Sequence, residues 1–380
     1  MQPKKILIVG GGIGGLSLMQ FLKNTAHQVT LIEKASHLRA EGAGIMLGIN
    51  ATKLLAKLDL MEKVLAHGTA LDAFCMTDSQ GQLLAKSDSN QLLQLTGLPT
   101  VGIHRGDLQR ILAHRLEQSQ IKFDTHIHAI IIGTDKKEVV FSNGHSETYD
   151  LIIAADGIHS PTRRLCHVPS ALRYSGYTCW RLVVNFTKDC GTSGYEMWGK
   201  GKRFGIVPIG QNTIYCFATC NATKNSKAFQ HISINEFKSL FSEFDGLANQ
   251  IISCIPDDQT IIHNDLYDQQ ELCMINNGVA FMGDAAHAAT PNMGQGAGMA
   301  IEDAFVLYNA LTHHYSMADA LAEYQRKREP RVKIIRDKSF TLGKIAQWES
   351  AVAIKIRNRL LKTLPVNGLT QSQRKLLLDF

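Results

Sequence analysis

Three groups of residues in this chain carry chemistry by their type and spacing. Gly283-Asp284-Ala285-Ala286-His287 leads through Pro291 to Gly294-Gln295-Gly296. A carboxylate at a strand end accepts hydrogen bonds from sugar or polyol hydroxyls, and the later glycines let backbone approach a flat ligand closely. The helix start that follows offers unpaired N–H groups and partial positive charge to a group that becomes anionic there. These demands suit a polar, electron-accepting ring. The second group is Gly10, Gly12 and Gly15, with Gly14 between them, in G-x-G-x-x-G spacing, followed by Glu33 and Lys34. The glycines serve a tight turn, the approach of a pyrophosphate and helix packing, while the acid serves a ribose hydroxyl. Glu33, rather than a basic residue, favours an adenosine ribose without a 2′-phosphate. The third group, Asp156-Gly157, ends the apolar run from Leu151 to Ala155. It points to the crevice at the carboxyl ends of sheet strands where α/β proteins bind ligands.

The elements that must position these groups are legible in the hydrophobic pattern. Lys5 to Val9 reads as a buried strand, the glycines open a helix reaching about Asn24, and Gln28 to Ile32 is a second strand. Arg39, set beside a ring or a phosphate, precedes Gly42, Ala43 and Gly44, and Asn50 caps the helix carrying Leu54, Leu55 and Leu58. Arg105 stands at the entry of a helix with Leu108, Ile111, Leu112 and Leu116 on one face, placed for cofactor oxygens. Residues 121–149 read as short antiparallel strands turning at Asn143-Gly144. Phe74 to Thr100 reads as strands that leave the first domain, and from Tyr174 the texture becomes antiparallel β. Ser233-Ile234-Asn235-Glu236 is a capping box, and Asn276-Asn277-Gly278 turns the chain back to the strand Val279 to Met282. After Gly296 comes a core helix, then a helical tail interrupted at Pro330 and ending beyond Pro365, its charges read as the outer face of a packing helix.

Composition excludes several classes. The 380 residues suit two packed domains, and 44% hydrophobic with 19% charged residues describes a globular protein. The formal charge of +6 is spread along the chain, without the basic and aromatic clusters of a nucleic-acid binder. None of the eight cysteines forms C-x-x-C, Cys216 and Cys220 lack partners at zinc-finger spacing, and no metal site is expected. The cysteine usage fits a reducing cytoplasm. No apolar run reaches the roughly 20 residues of a membrane span, so no integral membrane contact is expected.

Taken together, the glycine fingerprint with Glu33, Asp156-Gly157, and Gly283-Asp284 through Gly296 resemble the single-component FAD-dependent aromatic hydroxylases, the p-hydroxybenzoate hydroxylase-like flavoprotein monooxygenases. The resemblance spans nearly the whole chain. Tyr177-Thr178-Cys179-Trp180 and the Trp198 to Pro208 segment also look like that family's substrate-domain strands. The W-x-W-x-I-P motif of the flavoprotein halogenases is absent, since Trp198 is followed by Gly199-Lys200-Gly201.

The implied fold is α/β. A discontinuous Rossmann-like FAD-binding domain (1–72, 101–170 and 268–330) carries an inserted antiparallel β-sheet substrate domain (73–100 and 171–267), with C-terminal helices over 331–380. By motif position, Gly12, Glu33 and Arg105 would hold the adenosine and pyrophosphate, and Asp284 the ribityl chain. Gly294, Gln295 and Gly296 would meet the flavin ring beside Pro291. Asp156-Gly157 would serve FAD and NADH or NADPH, the transient co-substrate. The implied reaction reduces FAD, adds molecular oxygen to give a flavin C4a-hydroperoxide, and hydroxylates a small aromatic or heterocyclic compound. Rival readings are an antibiotic- or polyketide-modifying monooxygenase, a flavin reductase or dehydrogenase without oxygen transfer, and a flavoprotein binding module. Arg203 and Tyr215, on neighbouring expected strands, are the candidate catalytic pair, a cation and a phenol for an anionic ring; Arg181 is a further candidate. Monomer and homodimer are both compatible with this reading.

Overall fold

Why the chain forms two layers follows from its strands. Ile6, Leu7, Ile8 and Leu151 to Ala154 are all fully buried, which only a parallel sheet covered on both faces allows. The computed structural model describes residues 1–38, 42–116, 120–133 and 136–363, so Arg39 and the stretch beyond Pro365 lie outside the described residues. The first sheet runs in the order Ile275–Asn276, Val279–Phe281, Leu151–Ala154, Lys5–Val9, Gln28–Ile32, Ile121–Lys122. Lys5–Val9 pairs in parallel with both neighbours, and Leu151–Ala154 in parallel with Val279–Phe281. Segments far apart in the chain thus place their carboxyl ends, Gly10, Ala155 and Met282, on one rim. Helices Ile13–Leu22 and Gly296–His313 pack over it. Gly15 is required there, because a Cβ would lie 2.1 Å from the Gly10 carbonyl oxygen.

The second sheet has seven strands in the order Ile262–Gln269, Leu172–Asn185, Thr213–Asn221, Lys202–Gly210, Gly194–Trp198, Ala73–Asp78, Leu83–Asp88. It is antiparallel except where Gly194–Trp198 runs parallel to Ala73–Asp78. One face builds a second core, where Trp180, Phe204 and Ile206 meet Phe237, Phe241 and Phe244. The capping box Ser233 with Glu236 starts the covering helix Ile234–Leu240. The opposite face looks toward the rim of the first sheet.

A small sheet, Gly44–Leu47, Thr100–His104 and Gly68–Leu71, joins the two. Gly44 lies against Tyr215, where a Cβ would come within 2.2 Å of the tyrosine Cβ.

Four local expectations are corrected. The segment after Asp88 is a helix, Ser89–Thr96, capped by the Asp88 side chain, rather than further strand. Ile121–Lys122 joins the parallel sheet beside Gln28–Ile32 instead of the antiparallel strands that follow. Asn50 is the second residue of helix Ile49–Lys57, whose N-cap is Gly48. Pro330 does not interrupt its helix: Met317–Ala346 is continuous through it. A mid-helix proline costs about 3 kcal/mol, and ion pairs from Arg328 and Arg331 on either side of it to helix Gly296–His313 offset that cost.

Candidate active site

A cavity of about 1720 Å³ is walled by both domains. Ligand pockets usually measure roughly 300–1,000 Å³, so this one accommodates more than a single small molecule. Its first-domain wall includes Gly12, Gly14, Gly44, Arg105 and Gly157, and then Asp284, Pro291, Gly294, Gln295 and Gly296. These come from separate motifs, brought together by the shared rim of the sheet.

Two helix N-termini reach this wall. Gly12 caps Ile13–Leu22 and Gln295 caps Gly296–His313, and neither cap contributes a side-chain hydrogen bond. Their first N–H groups are therefore available to an anion. A Cβ on Gly12 or Gly296 would meet no atom within 4 Å, so there is room for a ligand to lie against both. Asp284 lies on the cavity wall, reached by solvent within the cavity but enclosed by protein around it. Burial pushes its carboxyl above the usual range, opposed by His287 and Arg105 and reinforced by Asp303.

Four expected cofactor residues do not line the cavity. Gly15 packs beneath the helix. Glu33 accepts from the Gly11 N–H at 2.7 Å and the Ala35 N–H at 3.0 Å, which holds the glycine turn in shape. Lys34 is exposed. Asp156 accepts from the Thr162 N–H at 3.0 Å, the Thr162 hydroxyl at 2.7 Å and the Ser160 hydroxyl, fixing the start of helix Pro161–Leu165.

Behind Asp284 lies a charge network. Asp303, fully buried, accepts from the Gly283 N–H at 2.8 Å, His287 Nε2 at 2.6 Å and Arg328 Nε at 2.6 Å. Glu302, equally buried, accepts from Arg328 at 2.5 Å, Arg331 at 2.6 Å and Asn50 Nδ2 at 2.6 Å. Asn50 Nδ2 also reaches Gln295 Oε1 at 2.9 Å. Burial alone would raise both carboxyls; for Glu302 the arginines Arg328 and Arg331, for Asp303 His287 and Arg328, hold them below the ordinary range. The Asp284 turn and the Gln295 cap are thus fixed from one buried centre. Sequence reasoning missed it. The available signal was Glu302-Asp303 sitting among Ala300, Ala304 and Leu307, where buried acids require partners.

The second-domain wall is one face of the seven-stranded sheet. Phe74, Met76, Trp198, Val207, Phe217 and Tyr215 line it, with Leu342, Ile345 and Leu361 from the C-terminal helices. Arg181 also lines it, donating to Asn264 Oδ1.

Arg203 and Tyr215 share this face but not one ring. In register, Arg203 opposes Thr219 and Val207 opposes Tyr215, four residues apart along the strand, or about 13 Å. The Arg203 guanidinium is paired with Glu196 at 2.9 Å and donates from Nε to Thr219 at 3.2 Å and Gln347 at 3.1 Å, with both ion-pair partners buried. Burial drives the Tyr215 hydroxyl far above the ordinary tyrosine range. It therefore stays protonated, a group able to donate a hydrogen bond. Among the described residues no cluster of three or more His, Cys, Asp or Glu has metal-binding geometry.

Residues 4–339 match the family model described as FAD binding domain, and the chain is 34% identical over 363 residues to 2-heptyl-3-hydroxy-4(1H)-quinolone synthase of Pseudomonas aeruginosa, covering 95% of this chain and 94% of that protein. The chain belongs to the FAD-dependent aromatic hydroxylase family. Aurachin C monooxygenase/isomerase of Stigmatella aurantiaca is 33% identical over 362 residues, 94% of each chain. The fold matches that of Klebsiella pneumoniae HpxO complexed with FAD and uric acid, with a TM-score of 0.89 at 24% identity over 98% of this chain and 96% of that one. This flavoprotein monooxygenase accordingly takes FAD as its cofactor. The open, uncapped helix starts at Gly12 and Gly296 fit its phosphates and its ring.

Proposed function

We propose that this monooxygenase hydroxylates a fused nitrogen heteroaromatic of the 4-quinolone type bearing an aliphatic chain, with NADH or NADPH as the transient reductant and molecular oxygen as the oxygen source. The observation that carries this reading is the mainly apolar second-domain wall, from Phe74 and Met76 through Trp198 to Leu342 and Leu361. It exceeds what a compact polar purine needs and matches a ring with a long apolar substituent. The first two relatives named above are, by their names, enzymes of a heptyl quinolone and of aurachin C.

Bound FAD supplies the activation of oxygen for transfer to an electron-rich ring. The chain's residues do the rest. Gly12 and Arg105 hold the diphosphate side, Asp284 accepts from the polyol, and Gly294 to Gly296 bring helix N–H groups to the ring's electron-rich edge. The protonated Tyr215 hydroxyl donates to the 4-oxo oxygen of the substrate, orienting the ring beside Gly44. The aromatic and aliphatic wall excludes water from the reacting face.

The test uses purified, FAD-loaded protein with NADH or NADPH, oxygen and 4-quinolones whose 2-alkyl chain is lengthened stepwise. The expected result is a product heavier by one oxygen atom and a kcat/KM that rises roughly fourfold per methylene, from about 0.8 kcal/mol per buried CH₂. Equal or better turnover of urate, or nicotinamide oxidation with no oxygenated product, would overturn the substrate assignment. The latter outcome would favour a reductase without oxygen transfer.

A further inference from the structure

The last described helix, Ala351–Lys362, has two faces of opposite purpose. Its inner side is anchored: Arg357 is buried with its guanidinium 5.1 Å over the Trp198 ring and donates to the Ala346 carbonyl, while Leu361 lines the cavity. Its outer side carries Val352, Ile356 and Leu360, which are 67%, 54% and 62% exposed. Their i, i+4, i+8 spacing puts them on one stripe. Lys355, Arg359 and Lys362, all exposed, form a second stripe beside it, and the helix contains no acidic residue. Leu83, 53% exposed, adjoins it through strand Leu83–Asp88, where Lys362 Nζ meets Gln82 at 3.1 Å. The outer side is therefore mixed: the charges the sequence suggested are there, and three large aliphatic side chains are exposed beside them. Among the described residues nothing covers these three large aliphatic side chains.

We propose that this helix docks the enzyme on an anionic lipid surface, lying in the interface plane with Val352, Ile356 and Leu360 inserted and the basic stripe on lipid head groups. Charge complementarity selects this occupant. An apolar stripe alone would suit a second copy equally, but three cations flanking it would repel the same three on a symmetry-related copy, whereas anionic head groups attract them. Among the described residues no helix is long and apolar enough to cross a membrane, so the association is peripheral. Because Leu361 of the same helix lines the cavity, docking brings that wall of the active site to the lipid surface. The proposal does not depend on which substrate the cavity takes.

The experiment is co-sedimentation of the full-length, FAD-loaded protein with vesicles of phosphatidylcholine alone or mixed with phosphatidylglycerol. Binding to the anionic vesicles, released by high salt, is expected, with little on neutral ones. Val352→Ser/Ile356→Ser/Leu360→Ser should abolish it. Lys355→Gln/Arg359→Gln/Lys362→Gln should weaken it roughly 100-fold, at about fivefold per basic residue. Since all six side chains are exposed, both variants should keep the wild-type melting temperature and FAD content. Failure of wild type to sediment, equal binding to both vesicle types, or undiminished binding by the serine variant would overturn the proposal. So would a concentration-dependent dimer in gel filtration that the serine variant loses, which would make the occupant a second copy.

Discussion

Replacing Arg328 with Met tests whether the buried centre behind Asp284 is what holds the flavin-side turn in place. The guanidinium is 1% exposed and bonds two carboxylates, Asp303 and Glu302, at 2.6 and 2.5 Å, both fully buried. Methionine keeps the apolar stem and removes the charge. Asp303 then retains only His287 and the Gly283 N–H, and Glu302 only Arg331 and Asn50. Removing one partner of a buried ion pair costs about 3–5 kcal/mol, a large part of the roughly 5–15 kcal/mol that holds a domain folded. At about 2–4 °C per kcal/mol for a folding unit of 150–250 residues, the melting temperature at neutral pH should fall by about 6–20 °C.

The pH dependence distinguishes electrostatics from packing. In the wild type both carboxyls are held below their ordinary range. Their contribution is therefore complete above the unfolded values of about 4 and is lost as pH falls through the lowered ones. In Arg328→Met the two buried acids, each left with fewer partners, shift upward instead, so the penalty is greatest at neutral pH and shrinks as pH falls. Adding Glu302→Gln and Asp303→Asn to Arg328→Met should recover part of the loss, since the two buried carboxylate charges are removed, although Arg331 gives up its ion pair with Glu302. Differential scanning fluorimetry at two pH values, with FAD absorbance after gel filtration, measures all of this. A variant that melts within about 1 °C of wild type at both values and keeps its FAD would refute the assignment of this network as the support of the site.

Four shorter predictions follow from the same geometry. Asp284→Asn removes a carboxyl that solvent reaches within the cavity, so the FAD-free protein should melt no lower than wild type at neutral pH. FAD affinity should drop roughly 10- to 100-fold in fluorescence titration, from a charged hydrogen bond of about 1.5–3 kcal/mol. Gly44→Ala sets a Cβ 2.2 Å from the Tyr215 Cβ, so overpacking of about 1–3 kcal/mol should appear in chemical denaturation, and Tyr215→Gly in the same chain should relieve it, whereas Tyr215→Ala, which keeps the Cβ, should not do so fully. Tyr215→Phe should leave FAD binding and melting unchanged while lowering kcat/KM roughly 2- to 10-fold, one neutral hydrogen bond of about 0.5–1.5 kcal/mol; an unchanged kcat/KM would remove Tyr215 from the site. Arg203→Met should destabilise by about 3–5 kcal/mol with partial recovery on adding Glu196→Gln, whereas a raised KM at unchanged melting temperature would show direct substrate binding.

What the chain's letters disclosed and what they hid divide along a physical line. Gly10, Gly12, Gly15 and the segment from Gly283 to Gly296 were legible because each answers a local demand, a turn, a close approach or a helix start, that few other residues meet. Glu33 and Asp156 were legible as acids at strand ends, but their direction was not. A carboxylate beside a glycine turn or a nascent helix finds backbone N–H groups of its own, and in Glu33 and Asp156 those local donors hold it. Arg203 and Tyr215 lay on adjacent strands as expected, yet adjacency in a sheet fixes only the lateral spacing. The register that separates them by four residues along the strand comes from where the hairpin turns. The centre formed by Glu302, Asp303 and Arg328 was hidden for the opposite reason. Its partners lie 25 and 26 residues apart on two helices, and only their antiparallel packing turns an apparent charged surface into a buried ion pair. Pro330 belongs to the same argument: read locally it ends a helix, and it stays inside one because Arg328 and Arg331, on either side of it, are pinned to Glu302. Residues that obey local rules can be placed from sequence, and those that break them mark where tertiary contacts supply the missing free energy.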